Sequence, residues 1–204
     1  SLPTTVWLLG LVSFFNDATS DLIYPLMPLY LTSVLMAGPK ALGIIEGIAE
    51  AAGSLLKLFF GVLSDRTRST KPWVVGGYSL AVVTRPLMAL TSSWPVVLLL
   101  RLGDRVGKGI RSSPRDALLA MAVSQDQRGL AFGFHRAMDN AGAVIGPLAA
   151  AWSLARHTPI REIFLWSAAP GCLTVILTLC VREPQREQAK TQMKFTWTLH
   201  GFPT

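Results

Sequence analysis

Ionisable and amide side chains recur inside the most apolar stretches of this 204-residue chain. Asn16, Asp17 and Asp21 interrupt a run over residues 5–31, and Glu46, Glu50 and Lys57 interrupt one over 41–64. Arg85 lies within 72–91, and Arg101, Asp104, Arg105 and Lys108 lie within 95–111. His135, Arg136, Asp139 and Asn140 lie within 129–154. Their spacing gathers them on helix faces. Asp17 and Asp21 are i, i+4. At about 100° per residue, Glu46, Glu50 and Lys57 share a stripe about 40° wide. Arg101, Asp104, Arg105 and Lys108 follow i, i+3, i+4, i+7, one side of a helix. Such groups can bind a proton, an ion or a polar solute. Two readings compete. Buried ion pairs can simply fix helix packing. Ionisable residues within membrane spans also face bundle interiors or water-filled paths. A plain bundle could replace its ion pairs with apolar residues at little cost, so a polar central cavity is the reading adopted.

Other chemistries find no support. There is no nucleophile–base arrangement, and no Cys/His spacing of a zinc site. Gly103-Asp104-Arg105-Val106-Gly107-Lys108-Gly109 looks like a phosphate loop. It has three residues between its glycines where a Walker A loop has four, and Gly109 stands where Ser or Thr is needed. No enzyme, metal or cofactor is expected.

The elements that must carry these groups are membrane helices. The chain is 50% hydrophobic and 15% charged, against about 25% charged in a soluble domain. Its mean hydropathy is +0.42. The apolar residues cluster into six runs, the last over 163–181. Runs of about 20 residues span a bilayer, and as lone segments they must be helices. The +7 net charge fits loops on one membrane side better than nucleic acid. Arg66, Arg68 and Lys71 follow the second run, and Arg111, Arg115 and Arg128 follow the fourth. Arg182, Arg186, Lys190 and Lys194 follow the sixth, against only Lys40, Arg156 and Arg161 on the other side. This asymmetry puts both termini in the cytoplasm, at a bacterial inner membrane. Cys172 and Cys180 are eight helical residues apart, about 12 Å, too far for a disulfide. The first run is a retained span, not a signal peptide. The expected organisation is a six-helix bundle over 1–182 and a basic cytoplasmic linker or tail over 183–204, truncated before a second bundle.

Gly43/Gly47, Gly103/Gly107, Gly129/Gly133 and Gly142/Gly146 are four apart and predict close helix contacts. Glu50-Ala51-Ala52-Gly53 is similar to Asp139-Asn140-Ala141-Gly142, the correspondence of a three-plus-three inverted repeat.

Three motifs resemble the major facilitator superfamily. Gly61-Val62-Leu63-Ser64-Asp65-Arg66, followed by Arg68 and Lys71, looks like its motif A loop, with Arg68 where the family has Gly. Arg105-Val106-Gly107-Lys108-Gly109 is similar to motif B, with Lys108 for Gln. Gly133, Gly142, Gly146 and Pro147 resemble motif C, the mark of exporter branches, ending in Ala150-Ala151 instead of two glycines. Pro25 and Pro28 also match the Pro-x-x-Pro that closes the first span. The resemblance implies the N-terminal half of a twelve-helix fold whose two halves rock about a midplane site.

It further implies a secondary active transporter of a small solute, proton-coupled and exporting. The implied substrate and proton pathway is Asn16, Asp17, Asp21, Glu46, Glu50, Arg85, Arg101, Asp104, Arg105, Arg136, Asp139 and Asn140. Asp17 and Glu50 are the expected proton carriers, with Arg105 tuning one of them. Gly61, Asp65, Arg66 and Arg68 form the implied gating latch. The implied partners are the lipid bilayer, the solute, protons, and a missing C-terminal half or a second copy. The other function class is a non-transporting half or membrane interaction protein.

Overall fold

A computed structural model describes residues 2–65, 67 and 69–183, with the side chain of residue 65 excepted. Arg66, Arg68, Arg186, Lys190 and Lys194 therefore lie outside the described residues. Every regular element within them is helical. The rods are α1 (Thr4–Ile23), α2 (Pro39–Asp65), α3 (Lys71–Leu87), α4 (Trp94–Met121), α5 (Arg128–Ala155) and α6 (Ile160–Cys180).

Proline sets several of these boundaries. Pro39, Pro72 and Pro95 stand in the first turns of α2, α3 and α4, where a missing N–H costs nothing. Pro25 and Pro28 end the regular part of α1, which continues to Val34 as short 3₁₀, α and π turns. In α6, Pro170 cannot donate to the carbonyl of residue 166, and the helix is interrupted at Ser167. The turn between α5 and α6 places His157 at φ 58°, in the left-handed region.

The fourth helix differs from the sequence reading. It runs on through Pro114 to Met121, so Arg111 and Arg115 lie on the helix and not in a loop. Packing explains the difference. Pro114, Leu118 and Leu119 are buried, and so is Arg111, whose guanidinium lies 4.7 Å from the Tyr78 ring centre.

α1 packs mainly on α5 and then α6, and α4 packs on α3 and α2. α3 and α6 also touch. Exchanging α1 with α4, α2 with α5 and α3 with α6 maps these pairings onto themselves. Buried side chains form two apolar clusters. One contains Ile23, Met27, Tyr30, Ile45, Met88 and Phe164. The other contains Val6, Leu9, Val12, Tyr78, Leu118 and Leu119. Asn16, Thr19, Arg85, Arg101 and Asp104 are also buried.

The outer surface is apolar. Leu55, Leu58, Phe59 and Val62 on α2 and Val144, Leu148 and Trp152 on α5 are exposed. Apolar surface of this extent needs lipid or a partner to cover it. α2, α3 and α6 are long and apolar enough to cross a membrane. α1, α4 and α5 carry the charged and amide residues that lower their hydropathy.

The C-terminal end of the described chain is tied to the start of α3. The Glu183 carboxylate accepts hydrogen bonds from Ser69 Oγ (2.6 Å), the Thr70 amide (2.6 Å) and Thr70 Oγ1 (2.5 Å). It thereby caps the start of α3. Lys71 Nζ donates to the Leu179 carbonyl at 2.7 Å. Burial would raise the Glu183 carboxyl pKa, but hydrogen bonds from Ser69, Thr70 and Lys71 outweigh it and hold it below the ordinary value. A depressed carboxyl stabilises above its unfolded pKa of about 4.3 and loses that effect as pH falls through the folded one. Glu183→Gln should therefore speed amide exchange of Thr70, Lys71 and Trp73 at neutral pH. The gap from the parent should close below about pH 4, which exchange mass spectrometry across a pH series measures.

Candidate functional site

The polar layer begins at Arg85, which sits in the last turn of α3 and is buried. Its guanidinium joins three helices. Nε donates to Asp104 Oδ1 on α4 at 2.9 Å. Nη1 donates to the Asn16 carbonyl (3.0 Å), Asn16 Oδ1 (3.1 Å) and Thr19 Oγ1 (2.6 Å) on α1. Sequence reasoning named Arg85, Asp104 and Asn16 but missed Thr19. A threonine three residues after Asn16 shares its face, and that spacing was the available signal.

A second cluster joins α2 to α4. Arg101 forms a fork to Glu46, with Nε at 3.2 Å from Oε1 and Nη2 at 3.4 Å from Oε2. The same guanidinium lies 3.7 Å from Asp104 Oδ2 and 5.3 Å from the Tyr24 ring centre. Arg105 Nη2 lies 2.9 Å from Glu50 Oε2 and 4.0 Å from Glu46 Oε2. The i, i+4 carboxylates of α2 thus face the i, i+4 arginines of α4. Depth separates the two pairs. Arg101 is buried, whereas the Glu50 side chain is 68% exposed.

A third cluster lies between α1 and α5. Asn16 Nδ2 donates to Asp17 Oδ1 at 2.7 Å. Asp17 and Asp139 lie close enough to repel each other. Asp139 Oδ2 is 3.5 Å from His135 Nδ1 and 3.6 Å from Arg136 Nη1. Asp139 Oδ1 and His135 Nε2 are buried without a partner among the described residues. Asp21 is half-buried on the next turn of α1, while Arg136 and Asn140 are exposed.

The structure thus brings most of the expected pathway into two connected groups, one on α2 and α4 and one on α1 and α5, with Arg85 between them. Next to the first group is a cavity of about 260 Å³, lined by Glu50, Ser54, Lys57, Arg105, Lys108 and Ser112.

The glycines divide into two kinds. A Cβ on Gly107 would lie 2.6 Å from the Gly77 carbonyl oxygen, and one on Gly103 would lie 2.8 Å from Thr84 Cγ2. A Cβ on Gly142 would strike the Phe14 carbonyl oxygen, and one on Gly146 would lie 2.6 Å from that of Ala18. These are the expected close approaches. Gly43, Gly47, Gly129 and Gly133 have nothing within 4 Å. For these four the expected helix contact within this bundle is corrected, because they stand on outward faces of α2 and α5. Pro147 is half-buried on α5, and Gly61 faces Ser113 across α2 and α4. Asp65 ends α2, and its side chain, like Arg66 and Arg68, lies outside the described residues.

Comparison with known proteins gives a consistent result. The profile of the Major Facilitator Superfamily matches residues 9–199. An uncharacterized MFS-type transporter of Methanocaldococcus jannaschii is 36% identical over 183 residues, covering 89% of this chain and 46% of the relative. The multidrug resistance protein MdtG of Klebsiella pneumoniae is 28% identical over 195 residues, covering 93% of this chain and 46% of the relative. A crystal structure of a bacterial homolog to the human lysosomal transporter Spinster, inward-facing and unoccupied, superposes with a TM-score of 0.74 at 17% identity. That match covers 97% of this chain and 47% of the other, and it concerns the fold alone. The chain spans less than half the length of these relatives.

Proposed function

The chain belongs to the Major Facilitator Superfamily, and from that premise we propose that it forms the N-terminal six-helix half of a proton-coupled secondary transporter that exports a small solute by alternating access. The observation that carries this reading is the charged layer itself. Arg85, Arg101 and Asp104 are buried and paired in mid-bundle, and they adjoin a cavity edged by a largely exposed carboxylate, Glu50. Charges cost most in low-dielectric surroundings and persist there where they line a path or fix a state.

The exchange symmetry of the helix contacts supports a three-plus-three inverted repeat with a midplane site. The open glycine faces of α2 and α5 suit a second six-helix unit, either a C-terminal half or a second copy. The basic loops support cytoplasmic termini in an inner membrane. Export is favoured by the motif C likeness and by relatives named for multidrug resistance. The latch at Gly61, Asp65, Arg66 and Arg68 would bias one conformation by pairing in that state only.

Proton coupling is assigned to Asp17 and Glu50. Protonating Glu50 would release Arg105, whose partner lies 2.9 Å away, so proton and solute binding could compete at one group. In the full-length protein reconstituted into vesicles, Asp17→Asn and Glu50→Gln should each lower pH-gradient-driven transport at least about tenfold. Gradient-free exchange should survive. Driven transport equal to the parent in both variants would remove the proposed carriers.

A further inference from the structure

The cavity between α2 and α4 has an unbalanced charge. Its lining holds Lys57, Lys108 and Arg105 against one carboxylate, Glu50. Arg105 already neutralises Glu50 at 2.9 Å. Neither lysine forms an ion pair with a described side chain, although every buried arginine of the neighbouring layer has a described partner. Two ammonium groups therefore line one recess with no carboxylate in direct contact, Asp17 and Asp104 acting on Lys108 only from a distance. The recess also offers Ser54, whose hydroxyl makes no hydrogen bond to a described residue.

Packing holds the recess open between its walls. The stem of Arg105 lies against α2 at Gly53, where a Cβ would sit in ordinary contact at 3.5 Å from Arg105 Cδ. Gly109 brings α4 onto α2, and its Cβ would lie 3.2 Å from the Leu56 backbone. Lys57 extends from α2 and Lys108 from α4, so the two cations come from opposite walls. Lys57 lies seven residues beyond Glu50, about 10 Å along the helix, so the cationic end and the carboxylate end are distinct.

We propose that this recess binds an oxyanion, of the phosphate or phosphonate class, with Lys57 and Lys108 as its counter-charges and Ser54 as a hydrogen-bond donor. The proposal rests on the transporter reading and gives that site its substrate class: a small solute carrying such a group. An anionic lipid headgroup presents the same chemistry.

The test uses the full-length protein in phosphatidylcholine nanodiscs, titrated calorimetrically with phenyl phosphate, benzyl alcohol and phenyltrimethylammonium. Phenyl phosphate should bind at least about tenfold more tightly than either other probe, and more weakly as salt rises. Lys57→Gln and Lys108→Gln should each weaken it at least about fivefold, and Lys57→Arg should restore it. Competition by added phosphatidylglycerol would assign the site to lipid headgroups, and its absence to soluble solutes. Equal binding of phenyl phosphate and benzyl alcohol, or lysine-to-glutamine variants that bind like the parent, would overturn the proposal. Uptake of the same probes into sealed vesicles carrying the full-length protein separates the two levels. Phosphate binding without uptake of any probe counts against the transporter reading alone. Uptake of the neutral or cationic probe without phosphate binding counts against the oxyanion site alone.

Discussion

Asp104→Asn is expected to unfold or strongly destabilise the bundle, by about 3–5 kcal/mol, the cost of stripping one partner from a buried ion pair. The Asp104 carboxylate accepts from Arg85 at 2.9 Å and faces Arg101 at 3.7 Å. Both members of the Arg85 pair are almost wholly buried, at 5% and 3% side-chain exposure. An amide keeps the shape but removes the charge. Arg101 retains Glu46, whereas Arg85 retains only the neutral oxygens of Asn16 and Thr19. Arg85→Gln alone should also destabilise, because it removes the one arginine that hydrogen-bonds Asp104 and leaves the more distant Arg101, Arg111 and Arg105. The double variant Arg85→Gln/Asp104→Asn should recover most of the loss, since neutral groups need no counter-charge. Thermal unfolding in detergent, read over the full cycle, checks this. The double variant then separates two roles. If it folds and transports, the pair is packing. If it folds but does not transport, the pair belongs to the transport cycle.

How much of this could be read beforehand depended on which signal a residue carried. Helix number and the paired stripes were visible because i, i+4 periodicity fixes a face whatever the partner is. Glu46 and Glu50 facing Arg101 and Arg105 follow from two such stripes once α2 and α4 are adjacent. The adjacency itself was not visible, because no local signal says which helices meet. The end of α4 departs from the sequence expectation for a related reason. Arg111, Pro114 and Arg115 are loop-like by composition, and only the burial of Arg111 beside Tyr78 shows why the helix continues. Glu183 was read as part of a basic tail. Its capping of α3 is a contact across more than a hundred residues, beyond what spacing can show.

The polar layer also has a mechanical consequence. Arg85 contacts α1 and α4 together, and these two helices exchange under the contact symmetry. A cation bonded to both holds them at fixed separation. Rigid-body motion of the whole bundle is then less costly than motion of α1 against α4, which is what rocking of halves requires. Two of the carboxylates singled out above lie outside this knot. Glu50 lies at the cavity edge, and Asp17 is half-buried beside Asp139.

Gly146→Val is expected to separate α1 from α5 and abolish the folded bundle, a loss of at least about 3 kcal/mol. A Cβ at Gly146 would lie 2.6 Å from the Ala18 carbonyl oxygen and 2.7 Å from the Leu22 amide nitrogen. Both are backbone atoms of a continuous helix, so no rotamer change relieves the clash. The displacement would carry Asn16 and Thr19 away from Arg85 and open the buried layer as well. Gly133→Val is the matched control on the same helix. Its Cβ meets nothing within 4 Å, so the six-helix unit should melt like the parent. If the α5 face does receive a partner, Gly133→Val should instead lower the recovery of the assembled protein on size exclusion, with helical content unchanged. Equal destabilisation by both variants would mean that Gly133 packs inside this bundle after all. Loss of assembly in Gly133→Val alone would divide the glycines of the motif C likeness between two jobs, one closing α1 onto α5 and the other joining halves.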